Sequence, residues 1–156
     1  MIRRAELADA RQLHVLIKQH AGFERGQATL CVDGLAKLLA ESSRPAEILV
    51  ASKQGCLLGY AALTFDFSLW RGQKWAHLDC LFVREDARGR AVGAALLAHA
   101  KDIAGISGAD RLEGQTPEWN SRGIAFYRRE GASIIGKACF HFSLKSPFDC
   151  SPTAAA

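Results

Sequence analysis

The sequence predicts one α+β domain, a central mixed and mostly antiparallel sheet flanked by helices, and three observations predict it. Two amphipathic helical stretches come first, three strand-patterned runs separated by turns follow, and the chain then alternates strand and helix. With 156 residues, 49% hydrophobic and 23% charged, there are apolar side chains for one sizeable core and not for two. We place the domain at 1–145. The tail at 146–156, with its prolines and terminal alanines, is expected to fray.

In chain order, Ile2 to Arg4 reads as a short strand. A helix is expected from about Ala8 to His20, where Ala10, Leu13, Leu16 and Ile17 recur at helical spacing and Asp9 supplies an acid for the first turn. After the loop Gly22 to Gly26, Leu35, Leu38 and Leu39 line one face of a second helix over Val32 to Ala40. From Glu47 the period changes. Ile48–Ala51 and Leu57–Phe65 flank the turn Lys53-Gln54-Gly55 as a hairpin, and a turn at Arg71-Gly72-Gln73 leads to a long strand over Trp75–Val83. A polar loop over Arg84–Arg90 precedes a helix over Ala91–Ile106. The close is expected as a strand over Arg111–Gln115, a helix over Ser121–Glu130, and strands at Ile134-Ile135 and Ala138–Leu144.

Composition narrows the function classes. The five cysteines are scattered, with no C-x-x-C pair and no Cys/His cluster at metal-ligand spacing, so neither a disulfide scaffold nor a metal site is expected. No run of about 18 apolar residues and no secretory leader is seen, so no membrane partner and a cytoplasmic location are expected. The net charge of +4 is modest, with arginines gathered at 84–90 and 122–129. That grouping suits a compact anion better than a nucleic-acid duplex, which needs a broad basic face.

The anion site is expected where the long strand turns into a helix. In Val83-Arg84-Glu85-Asp86-Ala87-Arg88-Gly89-Arg90-Ala91-Val92-Gly93-Ala94, unpaired helix-start N–H groups and the positive helix end meet Arg88 and Arg90. A pyrophosphate fits such a site. The chain has no G-K-[ST] for a nucleoside triphosphate and no early G-x-G-x-x-G for a dinucleotide.

The run Arg88-x-x-Ala91-x-Gly93 resembles the R/Q-x-x-G-x-G/A pyrophosphate loop of the GNAT superfamily of acetyl-CoA-dependent N-acetyltransferases. Downstream, Trp119-Asn120-Ser121-Arg122-Gly123-Ile124-Ala125-Phe126-Tyr127 and Gly131-Ala132 resemble the W-N-x-x-x-I-x-F-Y-x-x-x-G-A stretch of the diamine (spermidine/spermine) and thialysine N-acetyltransferase branch. Leu16-Ile17-Lys18, Phe23-Glu24, Gly59-Tyr60-Ala61 and Trp70-Arg71-Gly72 extend the likeness over most of the chain. Ala91 departs from the usual glycine. If that position needs a positive φ, alanine costs on the order of 1 kcal/mol.

The resemblance implies a GNAT-type fold, acetyl-CoA as co-substrate with no metal, a small-molecule amine acceptor, and a homodimer. It implies that Leu81, Phe82 and Val83 pair with the pantetheine arm and that Arg88, Gly89, Arg90, Ala91, Val92, Gly93 and Ala94 hold the pyrophosphate. Asn120 would contact the pantetheine or cap the following helix. Tyr127 is implied as the acid beside the thioester sulfur and Asp79, through a water, as the base. His77, two residues earlier on the same strand face, is the alternative base. Phe23, Glu24, Trp70 and Trp119 are candidates for the amine pocket, with Phe65 and Asp66 as further members. Cys80 stands where the diamine branch carries an acid, and is read as a core strand residue because direct transfer needs no nucleophile.

Two other functions fit the same fold. A protein lysine or N-terminal acetyltransferase would need an open peptide groove, and a non-catalytic acyl-CoA-binding regulatory domain would lack the acid and base. The presence of Tyr127 and of a carboxylate at 79 weighs against the second.

Overall fold

The structure, a computed structural model, describes residues 1–144. Its strands are β1 (Ile2–Arg4), β2 (Glu47–Lys53), β3 (Cys56–Ser68), β4 (Gln73–Val83) and β5 (Leu112–Gly114), and its helices are α1 (Ala10–Phe23), α2 (Val32–Ala40), α3 (Val92–Ile106) and α4 (Ser121–Arg129). The strands lie in sequence order in one sheet, antiparallel except for the parallel pair β4–β5. This is the mixed, mostly antiparallel sheet that the sequence predicts.

Strand alternation sends successive side chains to opposite faces. Ile48, Val50, Leu57 and Tyr60 pack under α1 and α2 with Leu13, Leu16, Leu35 and Leu39, whereas Leu49, Ala51, Ala61 and Leu63 pack under α3 with Leu96, Leu97 and Ala100. Leu13, Leu35, Leu63 and Leu96 are completely buried. Each contributes about 2 kcal/mol through removal of apolar surface from water.

Asp9 fastens the first helix to the sheet. Its carboxylate accepts two hydrogen bonds from the Arg3 guanidinium, at 2.6 and 2.8 Å, and one from the Glu6 backbone N–H at 2.8 Å. A single 3-10 turn over Leu7–Asp9 precedes α1, so the regular helix starts at Ala10, later than expected, and continues to Phe23.

The decisive irregularity is a bulge in β4. Ala62 faces Cys80 but Leu63 faces Leu78, leaving Asp79 as the extra residue. The bulge reverses the facing of β4: Ala76 and Leu78 join the α3 side, while Cys80 and Phe82 join the α1 side. Gly59 is required opposite this segment, since a Cβ there would lie 2.5 Å from the Phe82 carbonyl oxygen.

The two closing strands expected at Ile134-Ile135 and Ala138–Leu144 are not formed. Phe140, Phe142 and Leu144 are exposed, although the Cys139 thiol comes within 3.7 Å of Gln115 Oε1 just beyond β5. Alternating hydrophobicity makes a strand only where a ladder partner is offered, and β5 is only 3 residues long. The tail expected at 146–156 lies outside the described residues.

Candidate active site

The cleft originates where two parallel strands part. The β4–β5 ladder pairs Ala76 with Leu112, His77 with Glu113 and Leu78 with Gly114, and then stops. β4 runs on to Val83, so among the described residues its edge from the Asp79 bulge to Val83 has no strand beside it on that flank. A cleft of about 670 Å³ opens along this edge, bounded by α1, α4 and the start of α3.

At one end the chain leaves β4 through a single 3-10 turn over Glu85–Ala87 and enters α3. Gly89 and Ala91 both have positive φ, 74° and 58°. Ala91 therefore occupies the left-handed region that its substitution for glycine makes costly, by about 1 kcal/mol. The first helical bond runs from the Ala95 N–H to the Ala91 carbonyl, leaving the amides of Val92, Gly93 and Ala94 without helical partners. Arg88 does not point to solvent. Its Nε donates to the Val83 carbonyl at 2.9 Å, and its guanidinium lies over the rings of Phe23 and Phe82, 5.4 and 5.6 Å from their centroids. The amide donors and the helix dipole mark an anion site there, and Arg88 sets a fixed cation in the wall of the same cleft.

Another wall of the cleft is set by α4. Asn120 caps this helix, accepting from the Gly123 N–H at 3.0 Å and donating to Thr116 Oγ1 at 2.9 Å. The cap expected of Asn120 is formed, and the residue also lines the cleft. Two turns on, Tyr127 packs edge-on against Phe126 with ring centroids 5.2 Å apart. Burial, reinforced by the negative charge of Glu24 and by Cys80, pushes the Tyr127 phenol up to about 12. It carries its proton at neutral pH.

Glu24 and His20, from the end of α1, and Asp79, from the bulge of β4, line the same cleft. Phe23 contacts Trp119 with centroids 5.5 Å apart, and Arg25 lies 4.6 Å over the Trp119 ring. These contacts join the end of α1 to the start of α4 and narrow the cleft there.

Of the residues singled out from sequence, Asp79, Tyr127, Leu81, Phe82, Val83, Arg88, Gly89, Ala91, Val92, Gly93, Ala94, Asn120, Phe23 and Glu24 all line this cleft. Arg90 is exposed and Trp119 stands behind Phe23 at the rim, both outside the lining. Trp70 is a correction. It is 100% exposed at the tip of the β3–β4 hairpin, which is longer than expected and carries the ring roughly 20 Å or more along the strand from Asp79. Asp66 spends its carboxylate on the Phe67 N–H, and Phe65 lies under the Lys74 ammonium, also away from the cleft. His77 is not in the lining either; its Nε2 sits 3.9 Å from Asp79 Oδ1.

Sequence reasoning missed His20. Its ring stacks on Phe82 with centroids 5.2 Å apart, its Nδ1 lies 2.9 Å from the Tyr60 hydroxyl and its Nε2 lies 3.4 Å from Glu24 Oε1. The available signal was the spacing: His20, Phe23 and Glu24 fall on one helix face. Among the described residues no group of three or more His, Cys, Asp or Glu is placed to hold a metal ion, and no helix is long and apolar enough to cross a membrane.

Comparison with known proteins agrees with this architecture. The profile of the Acetyltransferase (GNAT) family matches residues 13–132. Thialysine N-epsilon-acetyltransferase from Bos taurus is 28% identical over 91% of this chain and 91% of its own length. An uncharacterized N-acetyltransferase, YhfO of Bacillus subtilis (strain 168), is 34% identical over 83% of this chain and 87% of its own. The solved aminoglycoside acetyltransferase meta-AAC0020, from an uncultured soil metagenomic sample and in complex with sisomicin, superposes with a TM-score of 0.76. That match covers 93% of this chain and 96% of that one at 18% identity, a likeness of fold. A sheet splayed after Leu78, an amide-rich turn into α3 and a family profile covering most of the chain lead to one assignment: this protein belongs to the GNAT family of acetyltransferases.

Proposed function

We propose that this acetyltransferase moves the acetyl group of acetyl-CoA directly onto a primary amine of a small molecule. The observation that carries the reading is the set of groups gathered in one cleft along the free β4 edge: the amide donors at the start of α3, Arg88, a protonated Tyr127 phenol, and the carboxylates of Glu24 and Asp79. That set suits a long anionic thioester resting on the α3 amides and a cationic amine drawn to the carboxylates.

The unpaired backbone of β4 from Asp79 to Val83 offers N–H and C=O groups to the amides of a pantetheine arm, in the manner of an added strand. The pyrophosphate rests on the amides at the start of α3, and Arg88 neutralises it. Leu81, Phe82 and Val83 thereby set the depth of the thioester and bring its sulfur toward Tyr127.

An alkyl ammonium of pKa about 10.4 is neutral in only roughly one molecule in a few thousand at pH 7, so the site must remove a proton before attack. The carboxylates of Glu24 and Asp79 attract the ammonium, and Asp79 lies on the proton's exit path. Attack forms the C–N bond and breaks the C–S bond. Tyr127 hydrogen-bonds the departing sulfur and gives it a proton; the proton lost by the nitrogen as the amide forms replaces it. The released species are the amide, CoA thiol and one proton.

The rim formed by Phe23, Trp119 and Arg25 favours a small amine over a peptide groove. We read the enzyme as a cytoplasmic homodimer, and the exposed apolar Phe140, Phe142 and Leu144 support the dimer. The test is thiol release from acetyl-CoA with thialysine, diamines, polyamines, amino acids and aminoglycosides. Release with at least one amine, in step with acetylated product, is expected. CoA binding without release on the whole panel would refute the reading and favour a regulatory domain.

A further inference from the structure

Among the described residues three arginines line the cleft, Arg88, Arg122 and Arg129, and the reaction proposed above uses only Arg88. The other two stand on α4, in the arginine group at 122–129. Arg3, Arg71, Arg84 and Arg111 are each held by a carboxylate, of Asp9, Asp110, Asp86 and Glu113 respectively. Arg122 is different. Its side chain has no hydrogen-bond or ion-pair partner among the described residues, although it stands in the cleft wall. Arg129 is partly committed: its Nε donates to Glu130 Oε1 at 3.3 Å, and the two terminal nitrogens of its guanidinium have no partner among the described residues.

The helix fixes where these charges stand. Arg122, Phe126 and Arg129 follow one another at spacings of four and three, so they share one face of α4, and the two arginines are about 10 Å apart along its axis. Phe126, between them, reaches α3. Its ring carbons Cε2 and Cζ lie 3.5 and 3.6 Å from the position that a Cβ on Gly93 would take. The Arg129 guanidinium lies 5.4 Å from the centroid of the same ring. Gly93 supplies one of the amides at the start of α3 that lack a helical partner. The α4 arginines therefore flank the ring that borders the amide site, and they face the same cleft.

CoA is anionic in two places. One is the pyrophosphate, and the other is a phosphate monoester on the 3′ carbon of the ribose, which bears about −1.5 to −2 charge at pH 7. The amides of Val92 to Ala94 and Arg88 suit the first, and they leave the α4 pair with no anion to meet. We propose that Arg122 and Arg129 form a second anion subsite that takes the 3′-phosphate, and that this subsite makes the enzyme select CoA over its 3′-dephospho form. The inference rests on acetyl-CoA being the co-substrate, as proposed above, and adds a specificity-determining contact at the nucleotide end of the molecule. Arg122 offers its whole guanidinium fork to the phosphate oxygens, and Arg129 offers its terminal nitrogens while its Nε stays with Glu130. No bond is made or broken at the subsite, so it acts equally on ground state and transition state.

Calorimetric titration with CoA and with 3′-dephospho-CoA, neither of which carries an acetyl group, reads the subsite apart from the chemistry. At low ionic strength the unsubstituted protein is expected to bind CoA ~10-fold more tightly than dephospho-CoA, a preference that shrinks as salt is added. Arg122→Gln combined with Arg129→Gln is expected to weaken CoA to the dephospho level and to leave dephospho-CoA unchanged. Both side chains are exposed on the helix surface, so these changes leave the core untouched. Arg128→Gln, the same loss of charge at an exposed position of α4 outside the cleft, is expected to alter neither affinity. In turnover the double variant should raise KM for acetyl-CoA by ~10-fold at unchanged kcat. Equal binding of the two ligands by the unsubstituted protein would overturn the inference. So would a double variant that weakens both ligands alike, which would put these arginines on the pyrophosphate. An unsubstituted protein that binds neither ligand refutes the acetyl-CoA reading itself, and the subsite falls with it.

Discussion

Removing one oxygen from Tyr127 separates chemistry from binding. In Tyr127→Phe the ring remains against Phe126, and the hydroxyl makes no hydrogen bond to another described residue, so no buried partner is orphaned. Stability should change by less than about 1 kcal/mol. CoA should bind as before, since the amides at the start of α3, Arg88 and the β4 edge are untouched. What is lost is the proton for the departing sulfur. General acid catalysis of this kind contributes ~10²–10⁴-fold, so kcat should fall by at least ~10², which is about 2.7 kcal/mol of barrier. Because the phenol sits at about 12, the wild type should show no decline from Tyr127 ionisation up to roughly pH 10. Steady-state release of CoA thiol across pH, with calorimetric CoA titration as control, measures both quantities. An unchanged kcat in a folded variant would refute the assignment, and a fall explained by lost CoA affinity would make Tyr127 a packing residue.

Three further predictions follow from individual residues. Ala91→Gly relieves the positive φ of 58° and should stabilise the turn by up to about 1 kcal/mol, read as tighter CoA binding of up to about fivefold; weaker binding would show that the alanine Cβ contributes to the site. Hydrogen bonds from Arg3 hold the Asp9 carboxyl below its ordinary range, so its stabilisation is present at neutral pH and is lost as pH falls through the folded-state value. Asp9→Asn should therefore lower the urea midpoint at pH 7 and flatten its decline in acid, whereas an unaltered pH dependence would contradict this. Trp70→Ala, at the remote hairpin tip, should leave kcat/KM for every amine unchanged; a substrate-dependent loss would return Trp70 to the acceptor site.

What was legible in the sequence is what depends on local pattern. The period-two runs marked β2, β3 and β4, and the helical spacing of Leu13, Leu16, Leu35 and Leu39 marked the helices that cover one face. The anion turn was legible because a strand, a glycine-bearing loop and a helix must be consecutive to form it. The bulge at Asp79 was not, because an extra residue in one strand is defined only against its partner, here Ala62 and Leu63. Trp70 was misplaced for a related reason: resemblance assigns a residue to a pocket, but the length of the β3–β4 hairpin decides where the ring goes. His20 was passed over because its partners, Tyr60 and Phe82, come from strands far along the chain. The segment from Ile134 to Leu144 has a strand's alternation but no ladder partner among the described residues.

The most direct test of the central claim is the crystal structure of the protein with CoA. The expected complex has the pyrophosphate on the amides of Val92 to Ala94, the pantetheine along the β4 edge between Asp79 and Val83, and the sulfur within hydrogen-bonding distance of the Tyr127 hydroxyl. CoA bound away from the gap between β4 and β5, or with its sulfur out of reach of Tyr127, would contradict it.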